Sequence, residues 1–276
     1  MLLSVRAELK EWLRKSANVD VSINRMICWF SAGAASAVAT KLINDRFECE
    51  IIYCDTGSEH EDNKRFIKDC ERWYGKKICI EKSDVYADTW EVFEKTRYLS
   101  GVAGARCTVE LKKKIRQRIQ IPYQDIQVFG FTNEEKQRAK RFEQNNPEAA
   151  PIFPLIKENL SKADCFRILK EANIEIPQMY KLGYKNNNCI GCVKGQSGYW
   201  NKIRMDFPEV FKRMATMERK LDVALNKRYE KGKRLRVFLD ELPKTAGNYK
   251  SEPSLSCGVL CEQMSLFLNI EVNNDG

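Results

Sequence analysis

Residues 26–36 read Met-Ile-Cys-Trp-Phe-Ser-Ala-Gly-Ala-Ala-Ser, a hydrophobic run followed by small residues, and this junction decides the fold. The run Met26–Phe30 predicts a buried strand, and a helix is predicted to begin at about residue 34. Small residues at such a junction let the backbone approach an anion, and the N–H groups of a helix N-terminus attract negative charge. Ser31–Ser36 therefore predicts a phosphate-binding loop, although small residues are also typical of tight strand-to-helix packing. The loop is neither a Walker A motif nor a Gly-x-Gly-x-x-Gly dinucleotide motif.

Short apolar runs continue to alternate with longer amphipathic stretches beyond this loop, a pattern typical of βαβ units. The fold class that follows is α/β, an open, mostly parallel, Rossmann-like sheet with helices on both faces, plus a helical C-terminal part that contains cysteines. Strands are predicted at Met26–Phe30, Cys49–Cys54, Lys77–Glu81 and Asp125–Phe129, and helices at about residues 34–45, 60–74, 88–97 and 107–119.

Four segments are predicted along the chain. The soft boundary near residue 150 rests on Asn145–Pro154, whose Asn-Asn-Pro and further prolines are typical of a linker. The segments are an N-terminal amphipathic helix in residues 1–24, a nucleotide-binding α/β domain in 25–150, a helical part with a Cys-x-x-Cys motif in 151–243, and a flexible tail with a cysteine pair in 244–276.

The composition excludes a disordered chain, because 43% of the 276 residues are hydrophobic and 10% are aromatic. No apolar run reaches about 18 residues, and charged residues follow from Arg6, so neither a membrane span nor a signal peptide is expected. We therefore expect a cytoplasmic protein with no membrane partner. The net charge of +9 favours a polyanionic partner, although a basic run such as residues 112–118 is also typical of solvated helix surface.

A second loop, Tyr53-Cys54-Asp55-Thr56-Gly57-Ser58-Glu59, follows the second predicted strand. Ligands of open α/β sheets bind beyond the carboxyl ends of the strands, so this loop and Ser31–Ser36 are expected to line one cleft. Asp55 and Glu59 are candidates to contact a ligand or an ion, and a turn that caps a helix is the alternative interpretation. His60 is the single histidine of the sequence, so a histidine-rich metal site is not expected.

Eleven cysteines are many for a chain expected in the cytoplasm, where disulfides are rare. Cys189-Ile190-Gly191-Cys192 is a Cys-x-x-Cys motif in a loop-like context, which predicts a metal ion or an iron–sulfur cluster. Such sites normally take four thiolates, and the other cysteines outside apolar runs are Cys107, Cys257 and Cys261. The remaining cysteines are expected to be small buried hydrophobic residues: Cys28, Cys49, Cys54, Cys70, Cys79 and Cys165.

Together these motifs resemble the phosphoadenosine phosphosulfate (PAPS) reductase family of the adenine nucleotide α-hydrolase-like superfamily, over about residues 25–200 and into the tail. The similar segments are the modified pyrophosphate-binding loop (Ser31–Ser36), the second-strand motif (Asp55-Thr56-Gly57), the cysteine-plus-lysine segment (Arg106-Cys107-Thr108 with Leu111-Lys112), the Gly-x-Arg-x-x-Glu-Ser stretch (Gly130 to Arg138, without the arginine and serine) and the C-terminal Glu-Cys-Gly-Leu-His element (Cys257 to Cys261).

The resemblance implies that the chain binds an adenosine phosphosulfate and reduces it through a cysteine thiol, with Cys257 as the nucleophile. A thiol such as thioredoxin or glutathione would then release sulfite. Ala35 stands where the ATP pyrophosphatase branch has a magnesium-holding aspartate, which favours a nucleotide that is already activated. The implied nucleotide- and phosphate-binding residues are Ser31, Gly33, Ala34, Ser36, Asp55, Thr56, Gly57, Lys112, Gly130 and Arg138.

The resemblance also implies a cofactor. Cys107 and Cys189 are 82 positions apart, similar to the separation of the cysteines that hold a 4Fe-4S cluster in family members that use adenylyl sulfate. A cluster held by Cys107, Cys189, Cys192 and Cys261 is expected, with Cys257 as an alternative ligand and zinc as the alternative cofactor.

Two other functions stay open at this point. One is an ATP-dependent sulfurtransferase that modifies DNA or tRNA, which the net charge and the cysteines favour. The other is a non-catalytic nucleotide-binding regulator in which the cysteines hold structural zinc. Nucleic acid is therefore a further candidate partner, and the predicted N-terminal helix leaves a homodimer open.

Overall fold

A computed structural model of the chain describes residues 25–101, 104–230 and 232–255. The helix predicted in residues 1–24 and the cysteines Cys257 and Cys261 lie outside these ranges. The strands within them are β1 (Arg25–Phe30), β2 (Glu50–Cys54), β3 (Cys79–Glu81), β4 (Ser100–Gly101), β5 (Gly104–Ala105), β6 (Asp125–Val128), β7 (Pro151–Ile152), β8 (Asn226–Glu230) and β9 (Lys233–Val237). The α-helices are α1 (Ala34–Asn44), α2 (Asn63–Tyr74), α3 (Thr89–Thr96), α4 (Arg106–Thr108), α5 (Lys114–Ile119), α6 (Lys136–Asn145), α7 (Pro154–Lys157), α8 (Lys162–Glu171), α9 (Gln178–Lys181), α10 (Ser197–Asp206) and α11 (Pro208–Leu221).

Five strands form one parallel sheet in the order β3-β2-β1-β6-β7. The chain runs outward from β1 to β3 and then returns to the other side of β1, so the strand order reverses between β1 and β6. Ligands of open α/β sheets bind at this reversal, beyond the carboxyl ends of the strands. The loops that follow β1 and β6 are therefore the place where the topology favours a ligand.

Both faces of this sheet are buried, which explains why β1 is apolar throughout rather than alternating. Met26 and Phe30 face a core that includes residues of α1, α2 and α8. Trp29 lies on the opposite face, where its Nε1 donates a hydrogen bond to Gln127 Oε1 (2.9 Å). Gln127 Nε2 in turn donates to Oε1 of Gln120, which follows α5 (2.5 Å). The predicted α/β fold class is confirmed.

The described residues form two compact units, each assembled from separate stretches of the chain. The first unit contains the five-stranded sheet and comprises the described residues up to Asp55, Glu61–Glu81 and Ile115–Asn187. The second unit comprises Thr56–His60, Lys82–Lys114 and the described residues from Asn188 onward. The boundaries predicted at residues 150 and 243 stay a prediction, while β7, inside the predicted linker, pairs with β6. Across the described ranges, no helix is both long and apolar enough to span a membrane.

Three side chains differ from their expected burial. Cys79 is exposed rather than buried, because it begins the edge strand β3. Lys112 and Arg116 belong to the basic run that is also typical of solvated surface, yet both are buried. Lys112 forms an ion pair with Glu59, and Arg116 forms one with Glu148. A buried cation requires such a partner, and these partners are distant in sequence.

A hairpin interrupts the part of the chain that was predicted to be helical. β8 and β9 pair in antiparallel fashion, from Asn226 opposite Val237 to Glu230 opposite Lys233. Gly232 has a φ of 76° at the turn, a left-handed conformation that glycine adopts without steric cost. Charged residues occupy most positions of both strands, so the sequence shows little of the apolar alternation that predicts strands.

Candidate functional site

The predicted phosphate-binding loop Ser31–Ser36 joins β1 to α1 in the first unit, and Gly33 is the N-cap of the helix. The hydroxyl of Ser36 organises the loop. Its Oγ accepts hydrogen bonds from the N–H groups of Ser31 (3.0 Å) and Gly33 (3.3 Å) and donates one to the Gly33 carbonyl (3.0 Å). Ser36 is buried and Ser31 is exposed. A buried hydroxyl therefore fixes the backbone of a loop whose first residue is accessible to a ligand.

The backbone of this loop is strained at Ala32. Its φ of 53° lies in the left-handed region, which costs an L-residue about 1–2 kcal/mol. Asn187 holds Ala32 in place, because its Nδ2 donates to the Ala32 carbonyl (2.7 Å) and to Asn63 Oδ1 (2.7 Å). Strain of this kind concentrates at functional sites, where the surrounding structure fixes it. Asn187 was missed by sequence reasoning, because 155 positions separate it from Ala32.

Gly130 follows β6 and approaches the first turn of α1 closely. A Cβ at this position would lie 2.6 Å from Ser36 Cα and 2.7 Å from Ser36 N. Only glycine permits this approach, since a real Cβ does not come within 3.0 Å of such atoms. The structure thus brings together Gly130 and Ser36 at the reversal point of the sheet.

Polar side chains surround the N-terminus of α1. The Tyr180 hydroxyl accepts a hydrogen bond from the Ala34 N–H (3.3 Å), and burial raises the pKa of Tyr180 to about 12, which keeps the hydroxyl protonated. Lys162 Nζ lies 5.5 Å from the centroid of the Tyr180 ring and donates to Asn186 Oδ1 (2.6 Å). Burial lowers the pKa of the Lys162 ammonium. Hydroxyl, N–H and ammonium groups are the donors that phosphate and sulfate oxygens require.

Arg138 and Asp55, both predicted to contact the nucleotide, also belong to the first unit. The Arg138 guanidinium forms an ion pair with Glu135 (2.6 Å) and stacks on Phe131, 4.3 Å from the ring centroid. Stacking and pairing hold the guanidinium in a defined position on α6. Asp55 follows β2, and its N–H donates to the Glu81 carbonyl (2.9 Å), which extends the pairing of β2 with β3.

The Asp-Thr-Gly turn continues into the second unit, where it contacts the Cys-x-x-Cys loop. Thr56 Oγ1 and Cys189 Sγ lie 3.1 Å apart, and the Ile190 N–H donates to the Ser58 carbonyl (2.9 Å). Gly57 has a φ of 64°, and a Cβ there would lie 2.2 Å from a backbone oxygen. The structure therefore places two motifs, 133 positions apart in sequence, against each other.

Lys112 lies in a π-helical segment, Val109–Lys113, and points away from solvent. Its Nζ is 3.4 Å from Glu59 Oε1, and the two side chains are 9% and 4% exposed. Segments of π-helix are frequent at functional sites, and a buried ion pair holds both partners in a fixed geometry. The Lys112 ammonium is therefore held next to the Glu59 carboxylate.

Tyr199 shapes the backbone of the Cys-x-x-Cys loop. Its hydroxyl accepts hydrogen bonds from the N–H groups of Gly191 (3.1 Å) and Cys192 (2.8 Å), and burial raises its pKa well above the ordinary value. Gly191 has a φ of 78°. Cys192 is buried and Cys189 is partly exposed. The loop is thus held rigidly with one thiol accessible.

A four-thiolate site needs donors beyond Cys189 and Cys192. Within residues 25–101, 104–230 and 232–255, no group of three or more His, Cys, Asp or Glu side chains is arranged to hold a metal ion. Cys107, partly exposed on α4, does not complete such a group there. Asn188 Nδ2, however, donates to the carbonyl of Leu255 (2.8 Å), the last described residue. Cys257 and Cys261, the further thiols of the predicted ligand set, lie outside the described residues.

Sequence reasoning located the loop, Gly130 and the Cys-x-x-Cys motif, but it missed the side chains that fix their backbones. The run Asn186–Asn188 indicates only a loop when it is read locally. In the structure Asn187 donates to the backbone of the loop Ser31–Ser36, and Asn188 donates to the carbonyl of Leu255. Tyr180 and Tyr199, which accept backbone hydrogen bonds, carry no local sequence signal for these roles.

The sequence profile described as phosphoadenosine phosphosulfate reductase domain matches residues 25–198. Two curated relatives are the uncharacterized proteins MJ0973 and MJ0066 of Methanocaldococcus jannaschii, each 24% identical, over 213 and 200 residues. The alignments cover 74% and 67% of this chain but 49% and 39% of the relatives. The chain therefore spans about half, or less, of the length of these curated relatives.

Two solved structures are also similar to the chain. The phosphoadenylyl-sulfate (PAPS) reductase from Candida auris, in a phosphate complex, has a TM-score of 0.44 and 16% identity, covering 65% of this chain and 86% of that one. The U34-tRNA thiolase NcsA from Methanococcus maripaludis, with its 4Fe-4S cluster, has a TM-score of 0.42 and 14% identity, covering 79% and 80%. Similarity at this level does not transfer residues or activities.

Proposed function

Because the chain belongs to the phosphoadenosine phosphosulfate reductase domain family, we propose that it binds an adenosine phosphosulfate and reduces its sulfate group through a cysteine thiol. The observation that carries the proposal is the loop Ser31–Ser36 at the reversal point of a parallel sheet. The backbone of this loop is fixed by hydrogen bonds to the side chains of Ser36 and Asn187. This is the position at which open α/β sheets bind nucleotides. The family match and this geometry support the same ligand class.

The nucleotide phosphate binds at the N-terminus of α1 in this proposal. The helix contributes N–H groups and a partial positive charge, while Ser31 contributes an accessible hydroxyl. Gly130 lets the end of β6 pack directly against this turn, and Arg138 contributes positive charge from the same unit. Ala35 has no carboxylate with which to hold magnesium, and this favours an activated nucleotide sulfate over ATP as the ligand.

The chemical step is a displacement at sulfur. The thiolate of Cys257 attacks the sulfur of the bound adenosine phosphosulfate, an S–S bond forms, and the bond from sulfur to the phosphate oxygen breaks. The adenosine phosphate leaves with the electron pair of that bond. An external thiol then attacks the Cys257 sulfur and releases sulfite, and a second external thiol reduces the resulting mixed disulfide. Two thiols are oxidised to one disulfide, and sulfate sulfur is reduced by two electrons.

The cysteine loop supports a second part of the proposal, a 4Fe-4S cluster with zinc as the alternative. Cys107, Cys189 and Cys192 would hold the group together with Cys261, and Cys257 is the alternative to Cys261 as the fourth ligand. The hydrogen bond from Asn188 to Leu255 supports the contribution of the tail, because it anchors the chain next to Cys189. A cluster would accept and donate electrons next to the thiols, and zinc would fix the positions of its ligands. The nucleotide-binding part of the proposal does not depend on either group.

The reaction is tested by incubating the anaerobically purified full chain with adenosine 5′-phosphosulfate, or with its 3′-phosphorylated form, and dithiothreitol. We expect sulfite and the corresponding adenosine phosphate in equal amounts. Cys257→Ser should abolish sulfite release and preserve nucleotide binding, whereas Cys79→Ser, at an exposed cysteine of the edge strand, should change neither. Pyrophosphate release from ATP without any sulfite would overturn the proposal in favour of an ATP-dependent sulfurtransferase. Nucleotide binding without turnover of either substrate would favour the regulator.

The cofactor is tested separately by metal analysis and visible absorption of the wild type, Cys189→Ser and Cys79→Ser. A cluster predicts a brown wild type and Cys79→Ser, with iron lost from Cys189→Ser. About one zinc per colourless chain, lost in Cys189→Ser, would establish the zinc alternative. Absence of both metals from the wild type would refute this part of the proposal and leave the nucleotide-binding part intact.

A further inference from the structure

A polar cleft of about 600 Å³ lies within the second unit. It is formed by the start of α10, the start of β8 and the short strands β4 and β5, and four of its lining residues are glycines. The side chains that determine its chemistry are Lys194, Gln196, Ser197, Asn226, Lys227 and Glu252. Its volume is in the range of small-molecule sites, roughly 300–1,000 Å³.

The side-chain amide of Asn226 is a buried polar group in the wall of this cleft. Its side chain is 5% exposed, and its Oδ1 accepts a hydrogen bond from Ser197 Oγ (3.1 Å). Its Nδ2 has no hydrogen-bond partner within the described residues. Leaving a buried donor unsatisfied costs about 1–3 kcal/mol. An acceptor atom of a bound ligand would remove this cost.

Two lysines contribute ammonium groups to the wall of this cleft. Lys194 and Lys227 both line it. The carboxylate of Glu252 is engaged at the first turn of α10, where it accepts hydrogen bonds from the N–H groups of Gly198 (2.6 Å) and Tyr199 (2.9 Å). The lining therefore favours a ligand that carries both hydrogen-bond acceptors and negative charge.

The positive charge continues beyond the cleft along the hairpin. Residues 226–237 contain six Lys and Arg residues against one Glu. Lys227 lies directly opposite Arg236 in the antiparallel register, and both are exposed. Directly opposed like charges destabilise a β-ladder, although Arg236 also forms an ion pair with Asp222. A ribbon of this composition is stabilised by an extended anion.

We propose that the cleft and the hairpin β8-β9 form a binding site for single-stranded nucleic acid, with one nucleotide in the cleft and the following phosphates along the hairpin. A small anion would be satisfied by Lys194 and Lys227 alone, whereas Lys227 and Lys233 lie three residue steps apart along the hairpin, about 10 Å. A polyanion can accept a hydrogen bond from Asn226 Nδ2 in the cleft and at the same time bind the positive charges of the hairpin β8-β9. This inference goes beyond the proposed reduction of a nucleotide sulfate and does not rest on it.

The test measures binding of short single-stranded RNA and DNA oligonucleotides of mixed sequence by fluorescence anisotropy, without any nucleotide sulfate present. We expect binding at about 100 mM salt that weakens steeply as salt rises. Lys227→Glu/Lys233→Glu should weaken binding by about tenfold and reduce the salt slope by about two. Lys64→Glu/Lys68→Glu carries the same charge change on exposed residues of α2 and should bind like the wild type apart from a small, uniform effect.

The cleft itself is tested with Asn226→Asp, which keeps the acceptor for Ser197 and replaces the Nδ2 donor with an oxygen. This variant should also bind the oligonucleotide several-fold more weakly. Thermal unfolding and far-ultraviolet circular dichroism check that each variant is folded. The proposal is overturned if the wild type binds neither oligonucleotide, if hairpin and control variants lose equal affinity, or if Asn226→Asp binds as tightly as the wild type. Loss of sulfite release would contradict only the proposed reaction, because oligonucleotide binding is measured independently.

Discussion

Replacing Gly130 with alanine tests whether the close approach of β6 to α1 builds the nucleotide site. The new Cβ would lie 2.6 Å from Ser36 Cα, 2.7 Å from Ser36 N and 2.9 Å from the carbonyl carbon of Ala35. All three atoms belong to the backbone, so no side-chain rotation relieves the clash. Ordinary contact begins at 3.4 Å, and the loop or the helix must therefore move by roughly 0.8 Å (3.4 minus 2.6).

The size of the effect follows from this displacement. Overpacking of a dense region costs about 1–3 kcal/mol of unfolding free energy. A shift of about 1 Å in a binding loop reduces function by up to about 100-fold. We expect Gly130→Ala to lose about 2 kcal/mol in urea denaturation and to bind adenosine monophosphate at least about tenfold more weakly in isothermal titration calorimetry.

Gly75→Ala is the matched control. Gly75 ends α2 with a φ of 65°, and a Cβ there meets no atom within 4 Å. The alanine therefore introduces backbone strain of about 1–2 kcal/mol without a clash. We expect a comparable loss of stability with unchanged nucleotide affinity. Wild-type affinity in Gly130→Ala, or an equal loss of affinity in both variants, would refute the assignment of the site to this turn.

Three further predictions concern buried polar groups. Asn187→Ala removes the donor that holds the Ala32 carbonyl and should lower the free energy of unfolding by about 2–3 kcal/mol. The loss should be smaller in an Ala32→Gly background, because glycine adopts the left-handed region freely. Equal losses in both backgrounds, measured by urea titration, would contradict the coupling between Asn187 and Ala32. Lys112→Met should cost about 3 kcal/mol by leaving Glu59 buried without its cation, and Lys112→Met/Glu59→Leu should recover part of the loss in the same assay. Burial raises the pKa of Glu218 to about 7 from 4.5. Its protonated form therefore stabilises the fold below about pH 4.5, and this contribution of about 3 kcal/mol is lost as the pH rises toward 7. The free energy of unfolding, measured at several pH values, should depend less on pH in Glu218→Gln than in the wild type. An identical pH dependence in both proteins would exclude this contribution of Glu218.

The elements of the sheet could be predicted because their signals are local. The run Met26–Phe30 and the small residues after it indicate a buried strand that leads into a helix, and the structure confirms both. The four predicted strands correspond to β1, β2, β3 and β6, and their predicted bounds differ from the observed ones by at most two residues at either end. Burial on both sheet faces and strand-to-helix alternation leave direct traces in a sequence.

Other features depend on pairings that no local pattern reveals. The strain at Ala32 is tolerated because of Asn187, and burial of Lys112 depends on Glu59, 53 positions away. The hairpin β8-β9 could not be predicted from the sequence pattern, because its strands are rich in charged residues. The ligands of the candidate metal centre stay a prediction for a related reason, since only part of the predicted set lies in the described residues.

The central claim, that a cysteine thiolate of this chain attacks the sulfur of a bound adenosine phosphosulfate, is tested most directly by trapping the product on the protein. The reduced, anaerobic full chain is mixed with adenosine 5′-phosphosulfate without any external thiol, and its intact mass and peptide masses are recorded. We expect one added SO₃ group on Cys257, formed together with one adenosine phosphate and lost on addition of dithiothreitol, in the wild type and in Cys79→Ser. An unmodified Cys257 in a chain that binds the nucleotide, or an adduct that persists in Cys257→Ser, would contradict it.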